Sequence, residues 1–254
     1  MKQADAESAP ERGDAAAARA DPGAPNAARD AGRTRIKICG VRTAEAVEAA
    51  ARAGADAVGF VFARGSPRKL DAVAARPLAA RLPPWLIAVS VFADAEPATI
   101  ARLAVGEWVQ LHGRTDLDAP ELRSLRIIRA LGIDAGRDAI LREHDHPRVA
   151  ALLVDAPRPG AGVAFDLAPL AALRERIEKP LLLAGGLSES TVGAAITAVR
   201  PWAVDVSSGV ERERGTKDLG LIAGFCAAVR AAAVERPARA SEWMSERVSD
   251  PVIG

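Results

Sequence analysis

The segment Arg35-Ile36-Lys37-Ile38-Cys39-Gly40 is a short apolar strand that ends in a cysteine and a glycine, and the rest of the chain is organised around it. Side chains alternate between the two faces of a strand, so Lys37 and Cys39 share one face, and the two isoleucines share the other. Taken alone, Cys39 is most simply interpreted as a small buried apolar residue, the commoner role of a free cysteine. Whether Cys39 has a chemical role instead depends on which residues lie at the ends of the other predicted strands.

Eight short apolar runs recur at intervals of about 20–30 residues, and amphipathic segments separate most of them. In the segment after the first run, Thr43 can cap the start of a helix and Gly54 can end it. Strands that alternate with helices predict a parallel sheet of repeated βαβ units. The runs are Ile36–Cys39, Ala57–Phe62, Leu86–Phe92, Trp108–His112, Arg126–Ala130, Ala151–Asp155, Leu181–Ala184 and Ala203–Ser207.

Eight such units in about two hundred residues favour an α/β fold of the (β/α)8 TIM-barrel type, as a single domain over residues 34–234. A doubly wound open sheet is the alternative, but it usually has fewer strands, and no GxGxxG follows the first run. Residues 1–33 have almost no large apolar side chain and are predicted to form a disordered tail. Residues 235–254 are predicted to form a second, weakly structured tail.

Composition limits the possible partners and compartments. Of 254 residues, 49% are hydrophobic and the net charge is +1, which favours neither nucleic acid nor an anionic membrane as a partner. Cys39 and Cys226 are too few for a disulfide scaffold, and Cys226 lies in the last predicted helix, Leu219–Ala233, where burial is the expected role. No apolar run approaches the ~20 residues that span a bilayer, and no signal-peptide core is present. We expect a cytoplasmic protein, either a monomer or a homodimer.

Polar or glycine-rich segments follow the ends of several runs, where a barrel of this kind places its chemistry. The glycines after the seventh and eighth runs predict a phosphate site, because backbone N–H groups can approach an anion closely where no Cβ intervenes. The segments are Ser66-Pro67-Arg68 after the second run, Gln110–Gly113 at the fourth, Leu153–Asp155 at the sixth, Ala184–Leu187 at the seventh and Asp205–Glu211 at the eighth.

In this order, the motifs KICG, SPR, QLHG, LLVD, AGG and DVSSGVE resemble the phosphoribosylanthranilate isomerase family of tryptophan biosynthesis, from about Arg35 to Ala232. The resemblance implies a (β/α)8 barrel that carries out a cofactor-free Amadori rearrangement. The substrate would be N-(5′-phosphoribosyl)anthranilate, and the product 1-(2-carboxyphenylamino)-1-deoxyribulose 5-phosphate. The resemblance therefore also implies a phosphorylated small molecule as the ligand.

The same resemblance assigns residues. It implies Cys39 as general base, Asp155 as general acid and Arg68 as the residue that holds the anthranilate carboxylate. It implies a phosphate site formed by Gly185, Gly186, Ser207, Ser208 and Gly209.

The residue chemistry is consistent with this assignment. The rearrangement needs a proton delivered to the ribose ring oxygen and another removed from C2′, which one acid and one base can do from opposite sides of the substrate. A thiol base needs a cationic or dipolar environment, for which Lys37 is one source. Asp155 must carry a proton, which burial or a nearby anion would favour, although an Asp after a strand is also commonly a helix cap. Arg68 can form two parallel hydrogen bonds to a carboxylate, or it can be a solvated loop arginine.

Three further expectations concern the neighbouring residues. Gln110 and His112 share one face of the fourth strand and are expected to line the substrate pocket. Asp205 is expected to orient the turn after the eighth strand. No cluster of His, Cys and Asp with metal-ligand spacing is present, so no metal is predicted.

The segment after the sixth strand departs from the family's usual pattern. Gly160 and Gly162 remain in the loop expected to close over the substrate, but Pro159, Ala161 and Leu167 replace a glycine, a hydroxyl residue and a tryptophan. Proline removes an N–H and fixes one φ angle, so closure of this loop is the step most affected. We nevertheless expect an active enzyme.

Two other functions are open. A related phosphoribosyl sugar isomerase of histidine biosynthesis uses two aspartates, but Cys39 stands where that relative has Asp. A catalytically silent phosphate-binding barrel would need none of Cys39, Asp155 and Arg68.

Overall fold

The computed structural model describes residues 33–155 and 167–232 of the chain. Eight parallel strands form a closed barrel in the order of the sequence, and the barrel closes where β1 pairs with β8. All eight predicted runs are strands, so the (β/α)8 prediction is confirmed. The strands are Arg35–Cys39 (β1), Ala57–Val61 (β2), Ile87–Ala93 (β3), Trp108–His112 (β4), Arg126–Gly132 (β5), Val149–Asp155 (β6), Leu181–Ala184 (β7) and Ala203–Val206 (β8).

Seven α-helices lie in the described residues. Between β4 and β5, where every residue is described, a single 3-10 turn at Pro120–Leu122 takes the place of an α-helix. A short antiparallel hairpin, Glu211–Glu213 (β9) and Thr216–Lys217 (β10), is inserted between β8 and the last helix. The helices are Ala44–Arg52 (α1), Ala72–Ala79 (α2), Pro97–Leu103 (α3), Arg137–Asp145 (α4), Ala168–Leu173 (α5), Val192–Val199 (α6) and Leu219–Ala231 (α7).

The signals that begin and end α1 are those predicted. The Thr43 hydroxyl accepts a hydrogen bond from the N–H of Ala46 at 3.2 Å, and so satisfies one of the free donors of the first turn. Gly54 follows the last turn with a φ of +71°, a left-handed conformation that glycine adopts without strain. Helix α7 ends at Ala231, two residues before the predicted end, and buries Cys226 completely.

Alternation along the strands separates two apolar regions. Ile36 and Ile38 belong to the large core between the barrel and its helices, which also contains Phe225 of α7. Lys37 and Cys39 belong to the opposite face and lie inside the barrel, both buried. At the carboxyl end of the barrel interior, Cys39 packs with two valines, Val61 and Val91.

The described residues begin at Arg33, the last residue of the predicted amino-terminal tail. Arg33, assigned by sequence to the tail, pairs its guanidinium with the Asp56 carboxylate, with Nη1 and Oδ2 3.0 Å apart. The same carboxylate accepts a hydrogen bond from the N–H of Ile36, so Arg33 is attached to the first strand. The rest of both predicted tails lies outside the described residues, and those predictions stay predictions. None of the described helices is long and apolar enough to cross a membrane.

Candidate active site

A cavity of about 560 Å³ opens at the carboxyl ends of the barrel strands. It brings together side chains from strands that are far apart in the sequence, as expected where parallel strands end at one face. Of the predicted site residues within the described ranges, all except Gly209 line it. They are Cys39, Arg68, Gln110, His112, Asp155, Gly185, Gly186, Ser207 and Ser208.

Cys39 ends β1 at the floor of the cavity, where the residue is 8% exposed. Burial raises the pKa of its thiol, and the positive charges of Lys37 and Lys217 act in the opposite direction. A Cβ atom placed on Gly59 would lie 2.8 Å from the Cys39 sulfur and 3.2 Å from the Lys37 Nζ. The Cys39 thiol and the Lys37 ammonium group therefore both lie next to Gly59, which has no side chain to exclude them.

Lys37 lies one layer deeper than Cys39 and is paired with Asp205. Its Nζ donates to Asp205 Oδ1 at 2.8 Å, and both side chains are buried. Although burial alone would lower the pKa of Lys37, the Asp205 carboxylate raises it, so the amine stays an ammonium. The expectation that Asp205 orients the turn after β8 is therefore wrong. That turn is held by Lys217, whose Nζ donates to the Ser207 carbonyl at 2.8 Å.

Arg68 forms a bidentate ion pair with Glu211, so it is not a solvated loop arginine. Its Nε lies 2.6 Å from Glu211 Oε1 and its Nη2 lies 2.8 Å from Oε2. Burial alone would raise the pKa of Glu211, but hydrogen bonds from Arg68 and Lys217 lower it to about 2. Sequence reasoning singled out Arg68 but missed Glu211 and Lys217. The sequence indicates these two residues only weakly: Glu211 is the last residue of the DVSSGVE motif, and Lys217 follows it in a charged segment.

Gln110 and His112 interact directly on β4, where both line the cavity. Their Nε2 atoms are 2.7 Å apart, so the Gln110 amide donates and the His112 Nε2 accepts, which assigns the ring proton to Nδ1. Burial lowers the pKa of His112 to about 4, and the ring is neutral near pH 7. Gln110 Oε1 is buried and has no hydrogen-bond partner among the described residues.

The turns after β7 and β8 pack against each other at one side of the cavity. Gly185 and Gly186 have φ angles of +92° and +61°, which glycine adopts readily. A Cβ on Gly209 would lie 1.9 Å from the Leu187 carbonyl oxygen, so only glycine allows the two turns to touch. Ser207 Oγ donates to the Cys39 carbonyl at 3.1 Å and ties the second turn to β1.

Asp155 ends β6 and lines the cavity three strands around the barrel from Cys39. Because β7 and β8 lie between β6 and β1, the two side chains flank the cavity without being neighbours. Asp155 is exposed, and it does not cap α5, where Leu167 occupies the cap position. The predicted loop residues Gly160 and Gly162, with Pro159 and Ala161, lie outside the described residues. The described residues hold no group of three or more His, Cys, Asp or Glu that could bind a metal ion.

Comparison with known proteins gives one consistent result. The family model described as N-(5′-phosphoribosyl)anthranilate (PRA) isomerase matches residues 36–228. An N-(5′-phosphoribosyl)anthranilate isomerase of Acidithiobacillus ferrooxidans is 43% identical over 209 residues, which are 77% of this chain and 97% of that protein. The corresponding enzyme of Leptothrix cholodnii is 38% identical over 201 residues, 78% of this chain and 91% of that protein.

Solved structures of phosphoribosylanthranilate isomerases are also similar to this chain. Phosphoribosyl anthranilate isomerase from Thermotoga maritima superimposes with a TM-score of 0.70 at 35% identity, over 78% of this chain and 99% of that chain. A phosphoribosyl anthranilate isomerase in complex with reduced 1-(o-carboxyphenylamino)-1-deoxyribulose 5-phosphate gives a TM-score of 0.69 at 34% identity, with the same coverage. With the cavity of the barrel and the match along most of its length, these similarities establish that the chain belongs to the phosphoribosylanthranilate isomerase family of enzymes.

Proposed function

We propose that the chain converts N-(5′-phosphoribosyl)anthranilate to 1-(2-carboxyphenylamino)-1-deoxyribulose 5-phosphate in tryptophan biosynthesis, without a cofactor. The observation that carries the proposal is that one cavity, in a member of this family, is lined by a thiol, a carboxylic acid, an arginine and two glycine-rich turns. Each group matches one requirement of the substrate, namely two proton transfers, a carboxylate and a phosphate.

The ends of the substrate fix its orientation in this proposal. The phosphate binds against the turns that contain Gly185, Gly186, Ser207 and Ser208, and the anthranilate carboxylate binds Arg68. The ribose then lies between β1 and β6, with Cys39 on one side and Asp155 on the other. This arrangement is supported by the separation of these two strands around the barrel.

The reaction then needs two proton transfers. Asp155 donates a proton to the ribose ring oxygen, the bond from C1′ to that oxygen breaks, and a protonated imine forms at C1′. The Cys39 thiolate removes the proton from C2′ and gives an enolamine, which tautomerises to the ketosamine product. The acid gives one proton and the base takes one, so the rearrangement balances without an oxidant or reductant.

In this proposal, the positive charge of Lys37 stabilises the thiolate form of Cys39. Its ammonium group stays charged because Asp205 pairs with it, and this buried group adjoins the Cys39 sulfur beside Gly59. A cation beside a thiol favours the thiolate, and so opposes the effect of burial on the thiol. Asp155, in contrast, is exposed in the protein alone, so the bound substrate and its anionic groups provide the environment that keeps the acid protonated.

The test is direct. The purified protein is mixed with enzymatically generated N-(5′-phosphoribosyl)anthranilate, and the loss of anthranilate-type fluorescence is followed. Turnover without added metal or cofactor is expected. A protein that binds inorganic phosphate but leaves the fluorescence unchanged would be a silent phosphate-binding barrel and would contradict the proposal. A cytoplasmic location and a monomeric or homodimeric state remain predictions.

A further inference from the structure

Glu211 is a buried carboxylate at the start of the β9–β10 hairpin, and its side chain is 2% exposed. It accepts four hydrogen bonds, two from the Arg68 guanidinium, one from Lys217 Nζ at 2.9 Å and one from the Gly215 N–H at 3.2 Å. A carboxylate offers about four acceptor positions, so those of Glu211 are filled. Glu211 lines the cavity but has no acceptor left for a substrate.

The ion pair decides which part of Arg68 is available. A guanidinium can bind a carboxylate in a bidentate manner through the Nε–Nη2 edge or through the Nη1–Nη2 edge. Glu211 occupies the first edge, with both contacts shorter than 2.9 Å. Arg68 is 16% exposed and lines the cavity, so the second edge is the one that can meet a ligand there.

Glycines on both sides leave room for this arrangement. A Cβ on Gly40 would lie 2.5 Å from Arg68 Cδ, so the Arg68 stem crosses directly over the residue that follows Cys39. A Cβ on Gly215 would lie 2.8 Å from the Pro67 carbonyl oxygen, so the hairpin that carries Glu211 packs on the segment that carries Arg68. The guanidinium is therefore held at one edge by Glu211, while its stem packs against the backbone at Gly40.

We propose that Glu211 is a positioning residue, which holds the Nη1–Nη2 edge of Arg68 toward the cavity so that it binds an aromatic carboxylate in one orientation. Glu211 acts on the ligand only through Arg68. That the ligand carboxylate is the one of anthranilate rests on the proposed function. The geometry of the Arg68–Glu211 pair is observed independently of that function.

A double-mutant cycle tests this role. Glu211→Gln keeps the shape of the side chain, but its amide nitrogen faces donors, so one edge of Arg68 is no longer held. We expect KM for N-(5′-phosphoribosyl)anthranilate to rise roughly tenfold, with a smaller change in kcat. In an Arg68→Ala background, Glu211→Gln should cause no further rise in KM. The same cycle is measured by equilibrium binding of reduced 1-(o-carboxyphenylamino)-1-deoxyribulose 5-phosphate.

The chain offers a matched control in Glu143 of α4. Glu143 Oε2 lies 3.1 Å from Nε of Arg129, a largely buried arginine, and neither residue lines the cavity. Glu143→Gln also removes the charge from a partly buried arginine–glutamate pair, so it shares any general loss of stability. It should leave KM and the binding constant unchanged.

Two results would overturn the proposal, namely a Glu211→Gln variant with wild-type affinity, or effects of Glu211→Gln and Arg68→Ala that are additive. If Glu211→Gln does not fold by circular dichroism, Glu211→Asp replaces it in the cycle, since it keeps the charge but shortens the reach to Arg68. Absence of turnover in the wild-type protein would contradict the proposed function alone, because the binding cycle still decides the role of Glu211.

Discussion

The Nζ atom of Lys37 lies 2.8 Å from Oδ1 of Asp205, in a buried ion pair that joins the first and last strands of the barrel. The two residues are 168 positions apart and face each other only because β1 and β8 pair in register. A buried charge is unfavourable unless it is paired, so the Lys37 ammonium and the Asp205 carboxylate each need the other in order to stay charged in the barrel interior. The pairing raises the pKa of Lys37 and so favours a positive charge beside the Cys39 thiol.

Lys37 should therefore set the pH at which the enzyme works. Burial raises the pKa of Cys39 and Lys37 opposes that rise. Removal of the cation should raise the pKa further, and a base whose pKa rises is present only at higher pH. In Lys37→Met, the rise of kcat/KM with pH should shift upward, and activity at pH 7 should fall by about tenfold or more. The measurement is the pH profile of kcat/KM.

This substitution alone leaves Asp205 buried without its partner, which costs about 3–5 kcal/mol of stability. The double variant Lys37→Met/Asp205→Asn removes both charges and separates the loss of the cation from the loss of the fold. Because the Lys37 charge lowers the pKa of Cys39 and the Asp205 charge raises it by a smaller amount, the upward shift in the double variant should be smaller than that in Lys37→Met. A folded Lys37→Met variant with an unshifted pH profile would show that Lys37 does not tune Cys39.

Arg68 should contribute to binding more than to chemistry. If its free edge binds the anthranilate carboxylate in the cavity, Arg68→Ala should raise KM by the equivalent of about 2–5 kcal/mol, with a smaller fall in kcat. Steady-state kinetics provide the measurement. Arg64→Ala, an exposed arginine of the same loop that does not line the cavity, is the matched control. An unchanged KM in Arg68→Ala would exclude the carboxylate contact.

The elements of the fold could be predicted from the sequence because they depend on local pattern. Continuous apolar runs mark strands that are covered on both faces, and all eight were recognised. The Thr43 cap and the Gly54 terminator follow from the preferences of single residues. The segment between β4 and β5 was less predictable, since Pro120–Leu122 forms one 3-10 turn and no α-helix.

The pairings in the site could not be predicted, because they depend on how the barrel closes. Arg68 and Glu211 are 143 positions apart, and no spacing in the sequence indicates that they meet. The same holds for Asp205, whose expected role in the turn after β8 was wrong because its side chain belongs to the interior face of its strand. Sequence identifies the reactive residues here, whereas only the structure shows which charges neutralise each other.

Gly209 should be required for the shape of the proposed phosphate site. In Gly209→Ala, the new methyl group would meet the Leu187 carbonyl, a backbone atom that cannot move alone, so the turns after β7 and β8 must separate. We expect a stability loss of about 1–3 kcal/mol and weaker competition by inorganic phosphate. Gly193→Ala in α6, where the nearest atom is 3.9 Å from the new Cβ, is the control and should be neutral or stabilising. Unchanged phosphate inhibition in Gly209→Ala would place the phosphate elsewhere.

The catalytic pair provides the decisive prediction. If Cys39 is the base and Asp155 the acid, Cys39→Ser and Asp155→Asn should each slow turnover by roughly 10²–10⁴-fold, because a serine hydroxyl does not ionise to a base near neutrality and an amide does not donate a proton as a carboxylic acid does. Binding of the substrate should persist, since Arg68 and the glycine turns remain. The measurement is single-turnover kinetics on variants shown to be folded by circular dichroism.

Cys226 makes the test of Cys39 selective. Both thiols are buried, and burial raises the pKa of Cys226 to about 11, but Cys226 lies in α7 within the core between barrel and helices. If small size and burial were all that mattered at position 39, Cys39→Ser and Cys226→Ser would behave alike, each with a modest loss of stability and full activity. We expect only Cys39→Ser to lose turnover, because only that thiol faces the cavity and adjoins a buried ammonium group. Near-wild-type single-turnover rates in Cys39→Ser would remove Cys39 as the base, and the same result in Asp155→Asn would remove Asp155 as the acid.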